Sequence, residues 1–409
     1  MRAFRWAAVL LVTALAGAGC AGGAAPAAQT KYPDPGISDT EIKIGGSFSF
    51  TGPLAVTAAL PQGMAAYFKS VNDQGGVDGR KITFITYDDA YDPAKLAENA
   101  RKLNEQDKVF AFTSFGGTNI GIRDYMNRAK LPHVFIFAGN SPLGESDKYP
   151  YTRAWWPDIS YEGAIDTRYI LDTIPDPKIG TLMLNNDLAA SETAGIKNAL
   201  GDRAAQVLVL QTNYEPSQVD MTGQVNQLRA AGANAILTQG GTQTINAVKY
   251  MDQIGWKPTV FLYAAGSSIK TSLSVIGLEQ SKGLLAPLWL KDPSDPQWAG
   301  DPKVAEYRTA VQKYGEGADP EDSQTANGYA AGEAFVAALK AMKQPTRQGL
   351  MDAIGGIKGL KLDMLQPTVT LNAGPGGRLI FQYQMNQFDG QSWKPVGGVL
   401  DAIHLGLAK

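Results

Sequence analysis

The chain has 409 residues, a formal net charge of −2 and 44% hydrophobic residues, a balance typical of globular proteins. This length exceeds what one hydrophobic core usually holds, so we predict two lobes or domains, and the near-zero charge argues against a nucleic-acid partner. The single cysteine excludes a disulfide within the chain, and two histidines are too few for the usual Cys/His zinc site, so we expect no metal and no cofactor.

The N-terminus has the features of a secretion signal. Two arginines precede the apolar run 7–15, which is too short to span a membrane in the usual way. Small residues then lead to Cys20 and resemble a bacterial lipobox, in which the cysteine is lipidated, although Gly17 stands where a lipobox usually has Leu. We predict a signal peptide over 1–19 and a lipidated, flexible tether over 20–36. The alternative is an ordinary secretory signal in which Cys20 is incidental.

From residue 41 to residue 263 the sequence alternates between strand and helix patterns. The predicted strands are 42–46, 82–85, 109–112, 134–137, 179–184, 207–210, 235–238 and 260–263. The predicted helices between them are 62–72, 93–106, 119–129, 162–173, 191–200, 218–231 and 244–254. Such alternation indicates an α/β fold with parallel sheets and helices on both faces.

The later part of the chain departs from this alternation. Two long helices are predicted over 304–314 and 322–342, followed by a strand-like tail over 368–399. Irregular segments near 140–158, 286–300 and 360–366 are interpreted as three crossings between two lobes. The predicted division is 37–155 plus 290–362 for the first lobe and 156–289 plus 363–409 for the second.

Two similar turns follow predicted strands about 120 residues apart. Gly116-Gly117-Thr118 follows the third strand, and Gly240-Gly241-Thr242 follows the strand 235–238. In open α/β sheets ligands bind beyond the carboxyl ends of strands, where helix N-termini present free N–H groups and glycine lets a ligand approach the backbone. We therefore predict one turn per lobe facing a common cleft; the alternative is two unrelated strand-to-helix turns.

Two stretches carry a family resemblance: SFSFTGPLA over 47–55 and VNDQGGVDGRKITFITYDDAYDPAKL over 71–96. They resemble type I periplasmic solute-binding proteins of ABC transporters, in the group that serves branched-chain amino acids, amides and aromatic acids. The resemblance covers about 37–405. It implies two Rossmann-like lobes, three hinge crossings and a small-molecule ligand trapped between closing lobes. It also implies that the protein acts outside the cytoplasm and delivers the ligand to a membrane permease, whose ATPase is a separate chain. We further predict a monomer, with the lipid on Cys20 as its membrane anchor.

The resemblance also implies the ligand-binding residues. In the first lobe they are Thr51, Gly117, Thr118, Asn119, Asn140 and Ser141, and in the second lobe Trp156, Tyr161, Asp187, Thr242 and Tyr263. In the amino-acid binders, hydroxyls and N–H groups of the loops after the third and fourth strands hold the ligand carboxylate. Thr118 and Ser141 match that role here.

One departure from the family bears on the ligand. The amino-acid binders carry a carboxylate for the ligand ammonium after the strand that here ends at Tyr263, but residues 263–268 read Tyr-Ala-Ala-Gly-Ser-Ser. A buried ammonium without a charge partner costs several kcal/mol. We therefore predict a small carboxylate, an amide or an aromatic acid rather than a free branched-chain amino acid. Asp187 is either a substitute acid or a helix cap, and Trp155 and Trp156 either line a flat ligand or pack in the hinge.

Other functions remain as alternatives: a branched-chain amino-acid binding protein proper, a ligand sensor feeding a signalling partner, and a secreted hydrolase. Residues 139–144 only approximate a G-x-S-x-G elbow, and the two histidines, His133 and His404, are poorly placed for a triad. We therefore predict that the chain is not an enzyme. The acidic run Asp88-Asp89 with Asp92 is either a metal site or a cap for the following helix, and the cap is favoured.

Overall fold

The computed structural model describes residues 31–52 and 54–408, so the predicted signal peptide and Cys20 lie outside the described residues. Two sheets organise the chain. The first contains β1 (Glu41–Phe48), β2 (Lys81–Asp88), β3 (Ala111–Ser114), β4 (His133–Ile136) and β5 (Thr152–Ala154). All five strands run parallel in the order β2-β1-β3-β4-β5. The carboxyl ends of the strands therefore meet at one edge of the sheet.

The second sheet has seven strands. They are β6 (Ile179–Leu184), β7 (Leu208–Tyr214), β8 (Ala235–Thr238), β9 (Thr259–Leu262), β10 (Leu285–Leu288), β11 (Gln382–Phe388) and β12 (Trp393–Asp401). Their order is β12-β11-β10-β9-β8-β6-β7. The strands β6 to β10 are parallel, and the C-terminal hairpin β11–β12 adds two antiparallel strands.

Helices cover these sheets. They are α1 (Ala59–Asp73), α2 (Pro93–Glu105), α3 (Arg123–Arg128), α4 (Ile159–Thr173), α5 (Asp187–Leu200), α6 (Ala204–Val207), α7 (Thr222–Ala230), α8 (Gly241–Gln253), α9 (Ser274–Ile276), α10 (Pro302–Tyr314), α11 (Ser323–Lys340) and α12 (Arg347–Gly355). Within the described residues no helix combines the length and hydrophobicity needed to cross a membrane. The predicted α/β class is confirmed.

The helix α2 shows how local sequence sets an element. Asp92 accepts hydrogen bonds from the N–H groups of Ala94 and Lys95, and Pro93 occupies the first helical position. Leu96, Ala100 and Leu103 recur at helical spacing and are all buried against the sheet. The predicted cap is therefore confirmed.

The late helices return to the first sheet. The helix α11 packs closely on α1 because both carry glycine at the crossing. A Cβ atom at Gly63 would lie 2.0 Å from the Thr325 carbonyl oxygen, and one at Gly328 would lie 1.9 Å from the Leu60 carbonyl oxygen. A lobe built on the first sheet is therefore discontinuous in sequence.

Three segments connect the two sheets and lie side by side; we call residues 155–158, 289–295 and 363–366 the hinge. The second and third segments pair through backbone hydrogen bonds, from Lys291 to Met364 at 2.8 Å and from Gln366 to Trp289 at 2.9 Å. The first packs on the second through Trp155, whose ring centroid lies 5.7 Å from that of Trp289. The predicted three crossings are confirmed.

Several predicted elements differ from the structure. The predicted helix 119–129 begins as a 3₁₀ turn over Gly117–Ile122, because the Gly-Gly-Thr turn enters it without a side-chain cap. The predicted helix 322–342 ends at Lys340, and α12 follows without having been expected. In the tail, turns are predicted at 374–377 and 389–390; the first strand, β11, begins only at Gln382, after the first of these turns, whereas strand-like structure is predicted from 368.

The end of the predicted tether is ordered against the first lobe. Asp34 accepts a hydrogen bond from the backbone N–H of Arg347 at 2.6 Å. Gly36, at φ +80°, passes so close to the backbone of Phe110 that a Cβ atom would lie 2.1 Å from its nitrogen. Within the range predicted as tether, residues 34–36 are therefore held by the folded domain.

Candidate functional site

The two Gly-Gly-Thr turns share one backbone conformation. Gly116 has φ +94° and ψ 165°, and Gly240 has φ +83° and ψ −165°. This region is accessible essentially to glycine alone. Each glycine ends the extended segment after its strand, and the following glycine begins a helix with no side-chain cap. The repeat noticed in the sequence is thus a structural repeat, with one turn at the carboxyl edge of each sheet.

The first turn presents polar groups that the chain itself does not use. The Thr118 hydroxyl donates to no atom of the described chain and is not fully buried. The Asn140 side-chain amide faces Gly117, whose Cβ atom, if present, would lie 3.1 Å from Asn140 Nδ2. That amide likewise has no hydrogen-bond partner in the described part of the chain. Gly117, Thr118 and Asn140 therefore lie together at the edge of the first sheet.

Asn119 points away from this edge and holds the turn from inside. Its Oδ1 accepts from the Ser114 hydroxyl at 2.5 Å, and its Nδ2 donates to the Gly116 carbonyl at 2.6 Å. Ser114 in turn lies 2.7 Å from His133 Nε2. Because the single Ser114 proton goes to Asn119, His133 must donate through Nε2–H. The side chain of Asn119 is fully buried, so it positions the turn from behind.

The buried Ser114–His133 pair does not form a hydrolase site. Both side chains are fully buried, and His133 Nδ1 has no acid partner among the described residues. Burial lowers the pKa of His133 to about 3, so the ring stays neutral. Ser141, the serine of the approximate elbow, donates to Asp158 and not to a histidine. Neither serine has the exposed nucleophile and oriented base that acyl transfer requires.

Two predicted hydroxyls are engaged within the protein. The Thr51 hydroxyl donates to Asp88 at 2.5 Å, and the Ser141 hydroxyl donates to Asp158 at 2.7 Å. Burial acts to raise the pKa of Asp88, but the Thr51 hydroxyl and nearby backbone N–H groups outweigh it, so the pKa lies below its usual value. Thr51 and Ser141 thus shape the loops after β1 and β4, while their backbone atoms remain at the same edge.

Aromatic rings line the junction of the first lobe and the hinge. Trp156 lies edge-on to Phe115, with ring centroids 5.9 Å apart, and Phe115 lies 6.0 Å from Tyr91. The indole N–H of Trp156 is buried with no partner in the described chain. Trp155, in contrast, is fully buried and donates to Asn327 at 2.7 Å, so it packs in the hinge.

In the second lobe, Asp187 and Thr242 stand at helix starts with exposed side chains. The residue that caps α5 is Asn186, whose side chain accepts from Ala189 N–H at 3.1 Å. Asp187 is the first residue of the helix, so the interpretation of Asp187 as the cap is wrong. Tyr161 stacks on Phe381 at 5.9 Å, and burial raises the pKa of its phenol to about 12. Burial likewise raises the pKa of Tyr263 above its usual value, and the nearby carboxyl groups act in the same direction.

Three buried carboxyl groups lie behind the wall of the second lobe. Glu162, Asp166 and Glu192 are each at most 3% exposed. Burial raises the pKa of all three, to about 8 for Glu192. Glu162 accepts the backbone N–H of Ala264 at 2.6 Å. The loop without an acid of its own is therefore held by the buried carboxyl group of Glu162.

A cavity of about 40 Å³ lies between the lobes on the hinge side. Its walls include Ala264, Ala265 and Gln324, and Gln324 Oε1 is buried without a partner among the described residues. Asp292 also lines it and accepts from Ile269 N–H at 2.6 Å; burial raises the pKa of this carboxyl to about 6. This volume has room for roughly three water molecules, so a larger ligand requires the lobes to part.

The lobes also touch directly at the loop after β4. The backbone N–H of Ser141 donates to the Ser191 hydroxyl on α5 at 3.3 Å. Ser191 donates in turn to the Asp187 carbonyl at 3.1 Å. This contact joins the two halves of the predicted site across the cleft.

Sequence reasoning missed four residues that shape this region: Tyr91, Glu162, Gln324 and Arg378. Tyr91 belongs to the acidic loop that was interpreted only as a helix cap. Arg378 is 1% exposed and lies 3.1 Å from Asp158, although more than 200 residues separate them in the chain. Only the third crossing brings it there, and no local pattern signals it. In the described residues no cluster of His, Cys, Asp or Glu suits a metal ion.

A family model described as "Periplasmic binding protein" matches residues 41–392. The curated "Leu/Ile/Val-binding protein homolog 7" of Brucella melitensis is 24% identical over 252 residues, which cover 59% of this chain and 63% of that relative. The match thus spans less than two thirds of the relative's length.

Solved structures share the fold. A branched-chain amino acid ABC transporter structure from Thermus thermophilus with bound valine aligns with a TM-score of 0.78 at 16% identity, covering 89% of this chain and 97% of that one. A solute-binding protein of an ABC transporter from R. palustris, in complex with benzoate, aligns with a TM-score of 0.70 at 15% identity, covering 87% and 96%. At these identities the likeness concerns the two-lobed fold.

Proposed function

Because this chain belongs to the periplasmic binding protein family, we propose that it is the substrate-binding component of an ABC importer. It traps a small organic ligand between its lobes and delivers it to a permease driven by separate ATPase chains. It acts as a monomer and has no catalytic role. The two matching Gly-Gly-Thr turns, one at each cleft edge, support this function most directly.

We propose Gly117, Thr118 and Asn140 as the principal ligand contacts of the first lobe. The support is that the Thr118 hydroxyl and the Asn140 amide lie together and bind nothing else in the described chain. These groups, with the free N–H groups at the start of a helix, suit an oxygen-bearing head group. Thr51, Asn119 and Ser141 position the loops, and Trp156, Tyr161, Thr242 and Tyr263 complete the walls.

Ligand binding is proposed to favour the closed arrangement. A ligand shifts an equilibrium only through its different affinity for the two states. The contact from Ser141 N–H to Ser191 forms only when the lobes approach. A ligand that contacts Thr118 on one side and Tyr263 on the other gains both contacts only in the closed state. The lobes are assigned as 37–155 with 290–362, and 156–289 with 363–409.

A carboxylate, an amide or an aromatic acid is proposed as the ligand. The first lobe offers donors, the junction with the hinge offers aromatic rings, and the acids behind Ala264 are buried. The solved proteins of similar fold include one holding benzoate and one holding valine. The second candidate is a branched-chain amino acid, which is favoured by the exposed carboxylate of Asp187 at the opposite edge.

Thermal-shift and titration measurements on the purified full chain test this function. The probes are benzoate, benzamide and leucine, because a ligand that binds the folded state raises the melting temperature. Thr118→Ala should reduce the binding free energy of whichever probe binds by about 1 kcal/mol, close to that of one lost hydrogen bond. Thr309→Ala, on the exposed face of α10, is the control and should change nothing. If Thr118→Ala binds the probe as tightly as the control variant does, the proposed site is wrong.

Ala265→Glu tests the basis of ligand choice. Ala265 lines the hinge-side cavity in the loop that lacks an acid. If that lack excludes free amino acids, the variant should gain a thermal shift with leucine that the parent chain does not show. A parent chain that already responds to leucine would instead favour the branched-chain amino acid candidate and a role for Asp187.

The lipid anchor is proposed through Cys20, which places the protein on the outer face of the bacterial membrane. Cys20→Ser should move the protein from the membrane fraction to the soluble fraction of the producing cells. Retention in the membrane fraction would refute the anchor. A protein that binds its ligand but supports no uptake in cells would favour the sensor alternative.

A further inference from the structure

Tyr91 occupies an unfavourable backbone conformation beside the first Gly-Gly-Thr turn. Ala90 has φ +50° and Tyr91 has φ +62°, and they form a consecutive pair of non-glycine residues in the left-handed region. This region disfavours residues that carry a Cβ atom, and an aromatic side chain gains nothing from it. Strained residues that the surrounding structure holds in place cluster at functional sites.

The surrounding chain holds this turn firmly. Asp88 accepts from Ala90 N–H and Asp89 accepts from Tyr91 N–H, each at 2.9 Å. Asp89 is 3% exposed and also accepts from the Ser47 hydroxyl at 2.8 Å. The turn is therefore held in the first lobe by hydrogen bonds from its backbone N–H groups to two carboxylates.

The turn directs the ring of Tyr91 onto the first Gly-Gly-Thr turn. A Cβ atom at Gly116 would lie 2.6 Å from Tyr91 Cε2, so the ring requires glycine there. The ring also lies 6.0 Å from Phe115, which continues to Trp156. Tyr91, Phe115 and Trp156 thus form one aromatic wall from the β2 loop to the hinge.

The Tyr91 ring carries its hydroxyl beside the first Gly-Gly-Thr turn. Burial raises the pKa of Tyr91, the N–H of Gly117 acts to lower it, and the carboxylates of Asp89 and Asp187 act to raise it. Of these groups, Gly117 and Asp89 belong to the first lobe and Asp187 to the second. The Tyr91 hydroxyl donates to no atom in the part of the chain that the structure describes, so its proton is available to a ligand.

We propose that Tyr91 is a ligand contact that determines specificity, with its ring forming one face of the site and its hydroxyl donating to the ligand. The site then suits a planar ligand with an acceptor oxygen at one end, such as an aromatic carboxylate. The ring of the ligand packs along Tyr91 and Phe115, and its oxygens accept from Tyr91 and Thr118. This inference rests on the proposed function and specifies its ligand class.

A purely structural role makes a different prediction. Asparagine tolerates positive φ better than tyrosine does. If Tyr91 serves only the fold, Tyr91→Asn should change the melting temperature of the unliganded chain and leave ligand affinity intact. If Tyr91 serves the ligand, Tyr91→Asn should keep that melting temperature and lose affinity. Tyr91→Phe separates the hydroxyl from the ring.

The test measures benzoate affinity by titration calorimetry, and melting temperature with and without benzoate, on the full chain. We expect Tyr91→Phe to bind about tenfold more weakly, as for one lost hydrogen bond of about 1.4 kcal/mol. Tyr91→Asn should bind more weakly still and melt no lower than the parent without ligand. Lys130→Asn, which changes another residue at positive φ (+47°) with an exposed side chain, is the control and should bind like the parent.

The outcomes separate this inference from the proposed function. Loss of affinity in both Tyr91 variants with a normal Lys130→Asn control supports the inference. Benzoate binding of equal strength in the parent and both Tyr91 variants overturns it and leaves the transport function in place. If benzoate fails to bind the parent while leucine binds, the aromatic-carboxylate class is wrong, and the role assigned to Tyr91 is refuted with it.

Discussion

The buried ion pair between Arg378 and Asp158 is the contact whose loss we expect to be most costly. Arg378 Nη2 lies 3.1 Å from Asp158 Oδ2, and the same guanidinium donates to the carbonyls of Asn140 at 2.6 Å and Trp156 at 3.1 Å. The two side chains are 1% and 5% exposed. Removing one partner leaves the other charge buried, which costs about 3–5 kcal/mol.

Three variants measure this cost: Arg378→Gln, Asp158→Asn and the double variant. Each single variant should lower the free energy of unfolding by about 3–5 kcal/mol, since it leaves a buried charge without its partner. The double variant removes both charges, so its cost should be well below the sum of the singles. Lys257→Gln, which disrupts an exposed pair with Asp252, is the control and should cost less than about 1 kcal/mol.

Urea unfolding followed by tryptophan fluorescence and by far-ultraviolet circular dichroism provides the assay. A single free energy is meaningful only where the two signals coincide, because a two-lobed protein can unfold in steps. If the double variant costs the sum of the two single variants, the charges do not act on each other, and our account of the hinge is wrong. If either single variant lowers the free energy of unfolding by no more than Lys257→Gln does, our account of the hinge is also wrong.

Three further predictions concern other parts of the site. Gly116→Ala should lower the free energy of unfolding by about 1–3 kcal/mol, and with it the melting temperature, because the added Cβ meets the Tyr91 ring at a φ of +94°. Gly223→Ala on α7, where a Cβ meets no other atom, is the control and should not lower the melting temperature. Burial raises the pKa of Glu192 from 4.5 to about 8, so the folded chain keeps a proton that the unfolded chain releases. Stability from this group is then lost as pH rises through about 8, and Glu192→Gln should flatten the fall in melting temperature between pH 5 and 9. His133→Gln, which can still donate to Ser114, should keep a higher urea midpoint than His133→Leu, and equal midpoints would refute the inferred donation.

Local patterns predict the elements whose side chains are uniformly buried. The strands Ile179–Leu184 and Ala235–Thr238 match their predicted bounds because nearly every side chain in them is buried. The short strands β5 and β10 escape prediction, since each has only three or four residues within an irregular segment and is defined by pairing with its neighbours. Tertiary contact, and not local propensity, decides such strands.

The candidate site likewise has features that the sequence predicts and features that it does not. The Gly-Gly-Thr turns are predictable because glycine at positive φ leaves a sequence signature, and Thr118 follows directly from it. The direction of a side chain is not encoded locally: Asn119, next in sequence to Thr118, turns into the core to bond Ser114. Tyr91 could have been suspected only from the strain of its turn, which the sequence does not display.

The loop after β4 is where ligand site, hinge and closure meet. Ser141 donates its hydroxyl to Asp158, which pairs with Arg378 in the hinge region, and donates its backbone N–H to Ser191 on the opposite lobe. Asn140, the preceding residue, has its side-chain amide beside Gly117, while its carbonyl accepts from Arg378. A ligand that orders Asn140 must therefore also favour the position of Ser141 that contacts the other lobe. In the proposed mechanism, binding and closure are coupled through these two adjacent residues, and no longer pathway is needed to connect them.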